Sequence, residues 1–221
     1  MDDSNNPLIS RRDVLKRVGV AGAAAAVPID AIAQATREPF ETLTAAEGAT
    51  LEAIVARLIP TDANGPGATE ARAARYIDRA LGGFLASSRA TYRVGLAAIE
   101  DYGSKMKGAP FTKLSPENQD AVLGDFERAA ASGFAPNGVL FFNLVLAHTI
   151  QGTFCDPFYG GNANFVGWDL IGYPGVRTNV SVEDQRLGVK LTPNHKSAYD
   201  TEMFTKATAS LHQSEDKPHG H

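Results

Sequence analysis

"PNGVLFFNLVLAHTIQ", residues 136–151, decides the fold. Val139, Leu140, Phe141, Leu144, Val145, Leu146 and Ile150 follow helical spacing and leave little polar surface on any side. A helix apolar nearly all round belongs at the centre of a bundle, so the neighbouring sequence has to supply helices that cover it. Four candidates precede it. Leu43-Thr44-Ala45-Ala46-Glu47 reads as a capping box, and Leu51, Ile54, Val55, Leu58 and Ile59 then run at helical spacing to a stop at Pro60. After a turn-rich loop over 61–68, helices are expected over about 69–81, on Ala71, Ala74, Ile77 and Leu81, and over about 89–105, on Tyr92, Leu96, Ile99 and Tyr102. Ser115-Pro116-Glu117 opens another through Val122, Leu123, Phe126 and Ala129, serine capping and proline at the first helical position. No strand-length alternation precedes Asp156. The expectation is therefore an all-α protein, a small helical bundle with a long Gly/aromatic-rich loop after the central buried helix.

That loop is "HTIQGTFCDPFYGGNANFVGWDLIGYPG", residues 148–175. Its glycines permit backbone angles closed to other residues, while Asp156-Pro157 and Tyr173-Pro174 set turns. Phe154, Phe158, Tyr159, Phe165, Trp168 and Tyr173 are interleaved with them. Large aromatics on an irregular backbone need a surface to bury against, since the ordering entropy has to be offset. Two surfaces qualify: the chain's own helices, with the loop as a lid, or a partner protein, for which aromatic anchors are typical. Gly160-Gly161-Asn162 could pass for a phosphate cradle, but no strand precedes it; a tight turn with Asn162 left-handed is the expectation.

At the other end, "SRRDVLK", residues 10–16, puts Arg11 and Arg12 ahead of a mildly apolar run, Val18 to Ala33, that is too short and too weak to span a bilayer. Paired arginines there mark export by the twin-arginine pathway, which carries folded proteins. Small-x-small sites at Ala31-Ile32-Ala33 and Ala33-Gln34-Ala35 place the mature start near Gln34 or Thr36. The organisation expected is a twin-arginine signal over 1–35, a helical domain over 36–209 and a disordered polar tail over 210–221. The net charge of −4 and the absence of a long basic run argue against nucleic acid. Cys155 is the single cysteine, which excludes an internal disulfide and any C-x-x-C metal or haem site. It is either a buried thiol or a bond to another chain.

Other chemistry has thin support. His148 on the most apolar helix reads first as a hydrogen-bonded core histidine, though His148, Asp156 and His195 could compose a metal or acid–base site. An independent small-molecule-binding protein, or a metal-dependent hydrolase using His148 and Asp156, is the competing class. Asp78 and Glu100 read as helix-surface charges. His219-Gly220-His221 sits in the tail, and no Ser-His-Asp order with a nucleophile elbow appears.

His148-Thr149, Gly152, Phe154, Asp156-Pro157, Tyr159-Gly160-Gly161-Asn162, Gly167-Trp168 and Ile171-Gly172-Tyr173-Pro174-Gly175 resemble the signature of the gluconate 2-dehydrogenase subunit 3 family. The capping-box helix, Ile59-Pro60-Thr61-Asp62, the Gly65-Pro66-Gly67-Ala68 turn and Tyr76-Ile77-Asp78 extend the likeness over Leu43 to Gly175. Gln151 stands where the family commonly has glutamate, and the stretch after Arg177 matches poorly. The resemblance implies a non-catalytic small subunit with no cofactor of its own. Its catalytic partner would be a flavoprotein, similar to glucose–methanol–choline oxidoreductases, that binds FAD and oxidises a sugar, a polyol or gluconate. A multihaem cytochrome c would be the third subunit, passing electrons to quinone. It implies further that the small chain serves maturation of the flavoprotein and its export through the twin-arginine translocase, the complex lying in the periplasm and peripheral to the inner membrane. The residues expected to form this partner interface or structural loop are Phe154, Cys155, Asp156, Pro157, Tyr159, Gly160, Gly161, Asn162, Trp168, Tyr173 and Pro174.

Overall fold

The computed structural model describes residues 38–131, 137–202 and 204. Arg11, Arg12, the apolar run behind them and the tail over 210–221 lie outside the described residues. The chain divides after Pro39, and the elements below belong to the unit that begins at Phe40. Among the described residues the structure is helical and carries no strand; its one β-bridge pairs Asp62 with Gly65.

Helix α1 spans Ala45–Leu58 and starts on the expected capping box: Thr44 N–H donates to Glu47 Oε2 at 2.8 Å and Glu47 N–H to Thr44 Oγ1 at 3.3 Å. Pro60 ends it by disfavouring the helical region at Ile59, which sits at φ −132°, ψ 86°. Helix α2, Ala73–Gly82, starts later than the apolar spacing predicts, because 69–72 are turn and Arg72 is left-handed at φ 57°. Helix α3 spans Arg89–Lys107 and α4 spans Pro116–Glu127, the latter capped by Ser115. The expected run of α4 to Ala129 stops short, since Ala129 is itself left-handed at φ 58°. Helix α5, Gly138–Phe154, is capped by Asn137 and runs three residues beyond Gln151.

The apolar faces of these five helices meet in one core, in which Leu51, Ile54, Ile77, Leu81, Tyr92, Leu96, Ile99 and Phe126 are at most about 1 % exposed. Edge-on ring pairs join its layers: Tyr92 with Phe141 at 6.1 Å and Tyr102 with Phe126 at 5.3 Å. Helix α5 packs on α1, α2, α3 and α4, as a central helix should. One of its faces nevertheless stays open, with Leu140 65 % and Ile150 46 % exposed. The all-round apolar character thus marks an uncovered surface as well as a buried one.

Two acidic residues overturn their surface assignment. Asp78 is fully buried on α2 and accepts the backbone N–H groups of Glu41, Thr42 and Leu43 at 2.6, 2.9 and 2.8 Å, which fastens the segment leading into α1. Glu100 on α3 is half-buried; it accepts Thr50 Oγ1 at 2.6 Å and the Thr112 N–H at 3.3 Å, tying α3 to α1 and to the 3₁₀ turn Phe111–Lys113. A helical carboxylate faces inward where a neighbouring segment offers unpaired donors, and helical spacing alone does not reveal those donors.

Candidate functional site

The loop begins where α5 ends. Cys155 leaves the helix in an extended conformation, and Asp156 accepts the Phe158 N–H at 3.0 Å to open the 3₁₀ turn Pro157–Tyr159. Gly160, at φ 91°, reverses the chain. The return leg then lies directly on the α5 backbone. A Cβ at Gly161 would stand 2.1 Å from Gly152 O, and one at Gly167 would stand 1.9 Å from Thr153 O, so only glycine lets the two segments meet.

Asn162 holds this junction. It is fully buried and left-handed at φ 44°, as the sequence predicts. Its N–H donates to Gly152 O at 2.8 Å and its Nδ2 to Cys155 O at 2.8 Å, while its Oδ1 accepts the N–H groups of Gly167 at 2.8 Å and Trp168 at 3.4 Å. Those last two bonds satisfy the first turn of a sixth helix, α6, Val166–Leu170. The sequence reading placed no helix there, because five residues between glycine-rich turns give no periodic signal. Phe165, directly before α6, is also left-handed at φ 64°, an uncommon state for a bulky side chain.

Trp168 on α6 is 6 % exposed, donates through Nε1 to Phe154 O at 2.9 Å and meets Tyr173 edge-on at 4.8 Å. The chain's own helices therefore cover Trp168, but not every aromatic. Tyr159 and Tyr173, both expected at a partner interface, are exposed, as is Phe158. Phe154, Pro157 and Pro174 are half-buried. Phe154 and Tyr159 border an open apolar groove of about 490 Å³ with Tyr76, Phe84 and Ile150, and Phe84 is 68 % exposed.

Cys155 also borders that groove; it is a free thiol whose Sγ approaches Gly152 O at 3.7 Å, and burial pushes its pKa up to about 11. It is therefore protonated, and a weak nucleophile, at neutral pH.

The residues proposed for a metal or acid–base site each have a different partner. His148 pairs through Nδ1 with the Tyr92 hydroxyl at 2.9 Å, stacked on its ring, and burial lowers its pKa. Asp156 accepts Ser197 Oγ at 2.6 Å and the Ala198 N–H at 2.8 Å. His195 Nε2 bonds Asp169 Oδ1 at 2.7 Å. Among the described residues no group of three or more His, Cys, Asp or Glu side chains is placed to hold a metal ion. His148 is a core histidine, the first of the two readings its position allowed.

Sequence reasoning missed the return of the chain's last described segment. Ser197–Asp200 closes its own capping box and seats on Asp156, Tyr199 stacks on Phe158 at 3.8 Å, and its hydroxyl meets that of Tyr159 at 2.6 Å. His195 stacks on Phe165 at 5.1 Å. The Ser-x-x-Asp spacing at 197–200 was the available signal.

A helical bundle whose one long loop is bonded this closely to its helices, yet turns aromatic side chains outward, has the construction of a binding subunit. The chain belongs to the gluconate 2-dehydrogenase subunit 3 family, whose sequence model matches residues 45–175, from the first residue of α1 to the last glycine of the loop. It is accordingly a subunit of a dehydrogenase complex, with a catalytic dehydrogenase chain as partner. Searches of curated proteins and of solved structures return no match.

Proposed function

We propose that this chain is the non-catalytic small subunit of a periplasmic, FAD-dependent sugar, polyol or gluconate dehydrogenase, and that it matures the flavoprotein and carries it outward through the twin-arginine pathway. Family membership is the observation that carries this reading. The paired arginines at 11 and 12 support the route, because a flavin inserted in the cytoplasm requires the catalytic chain to fold before it crosses the membrane. The exposed aromatics at 158, 159 and 173 support the gripping role, since such side chains anchor interfaces. In this reading FAD resides in the catalytic chain, haem c in a cytochrome subunit that passes electrons to quinone, and this chain holds neither.

Replacing both arginines, Arg11→Lys with Arg12→Lys, should leave both chains in the cytoplasm, so that fractionation finds dye-linked dehydrogenase activity inside the cell and little in the periplasmic and membrane fractions. Export of active flavoprotein at the normal level in that strain, or in one lacking the small subunit, would overturn the proposal. So would turnover of a sugar or polyol by the purified small chain alone.

A further inference from the structure

Residues 177–192 leave the loop and return to it as an arm pinned at its base. The Arg177 guanidinium donates to Thr192 O, the Val176 N–H donates to Lys196 O at 3.4 Å, and Asn194 bonds Pro174 O at 3.1 Å and Val176 O at 2.7 Å. Beyond that base the hydrogen bonds are local: Ser181 and Asp184 cap each other at 3.2 and 3.1 Å, and Gln185 reaches back to Ser181 O at 3.3 Å.

The arm contributes nothing to the core, yet it is not polar. Val180 is 48 %, Val182 73 %, Leu187 105 % and Val189 45 % exposed. Single exposed aliphatics are ordinary, but four within ten residues of an ordered, anchored segment are a surface waiting for a cover. The arm's charges are mixed, Glu183 and Asp184 against Arg177, Arg186 and Lys190, and form no basic run, which suits a protein surface better than nucleic acid or an anionic membrane.

We infer that this arm grips the catalytic dehydrogenase chain, with Val182 and Leu187 entering an apolar cleft of that subunit; the inference rests on the small-subunit reading above. Family membership supplies the partner, and the position of the arm supplies the contact. It begins two residues after the span the family model matches, and its base is bonded to the matched loop at Pro174, so it extends the loop's surface. Pinning both ends lowers the entropy lost when the arm is covered, which makes a short segment an efficient contact.

The test uses the full chain co-produced with its catalytic partner. The double variant Val182→Asp, Leu187→Asp should bind the catalytic chain at least about tenfold more weakly, about 1.4 kcal/mol, while the variant alone melts at the wild-type temperature. Leu187→p-benzoylphenylalanine should, under ultraviolet light, give a cross-link whose mass is that of this chain plus the catalytic chain. Wild-type binding with unchanged affinity in the double variant, or a cross-link to a second copy of this chain, overturns the arm's role and leaves the small-subunit reading standing. A lowered melting temperature in the double variant also overturns it, because the arm would then belong to the fold. Failure of the wild-type chain to bind the catalytic chain overturns the reading and the inference together.

Discussion

Asn162 shows how one side chain can set the path of a loop. Its amide donates one bond and accepts two, and its left-handed backbone permits the turn that puts Gly167 onto α5. Asn162→Ala would leave Cys155 O and the N–H groups of Gly167 and Trp168 buried without this partner, and would place alanine in a conformation it disfavours. The expected cost is about 3 kcal/mol in urea unfolding. A loss below about 1 kcal/mol would mean that the glycine contacts, rather than this amide, hold the loop. Asp78 has the same role on α2, where three backbone donors converge on one carboxylate. In both places a short polar side chain organises a segment that has no regular structure of its own.

Among the elements, α6 depends most on its surroundings. Five residues form little more than one turn, too short to be stable alone, so it persists through the Asn162 cap and through Trp168. Trp168→Ala removes the ring that fills the space between α5 and Tyr173, together with its bond to Phe154 O. A loss on the order of 3 to 5 kcal/mol is expected in denaturant unfolding. The amount of exported active dehydrogenase should fall with it. Normal export and activity in this variant would remove the loop from the partner interface. Helix α5 is the opposite case: its apolar sequence ensures that it forms and is partly buried, while its open Leu140 and Ile150 face supplies surface beside the groove that Ile150 borders.

For the whole molecule, the buried titratable groups bound the pH range of stability. Burial lowers the pKa of His148, so the unfolded chain takes up a proton first as pH drops below about 6.5, and stability is lost from there down to the folded value. Burial raises the pKa of Cys155 from 9.0 to about 11, so the folded chain keeps its proton longer, and stability is lost as pH rises between those values. Buried Tyr92 shifts upward too and adds to the alkaline limb. Thermal unfolding midpoints should therefore form a plateau between about pH 6.5 and 9, with His148→Gln flattening the acid limb and Cys155→Ala part of the alkaline one. Limbs unchanged by these substitutions would assign the pH dependence to surface carboxylates and amines.

The sequence by itself determined the helical class, the caps at Thr44 and Ser115, the stop at Pro60, the left-handed turn at Asn162 and the family signature. Each of these is a local property, written in residues a few positions apart, and short-range sterics and hydrogen bonding suffice to express it. Tertiary structure alone decided that Asp78 is buried beneath Glu41, Thr42 and Leu43, that Ser197 closes on Asp156 and that Tyr199 stacks on one side of Phe158. Those contacts join residues 35 to 41 positions apart. No periodicity encodes them, because they follow from which backbone donors and ring faces are left unpaired once the five large helices have packed.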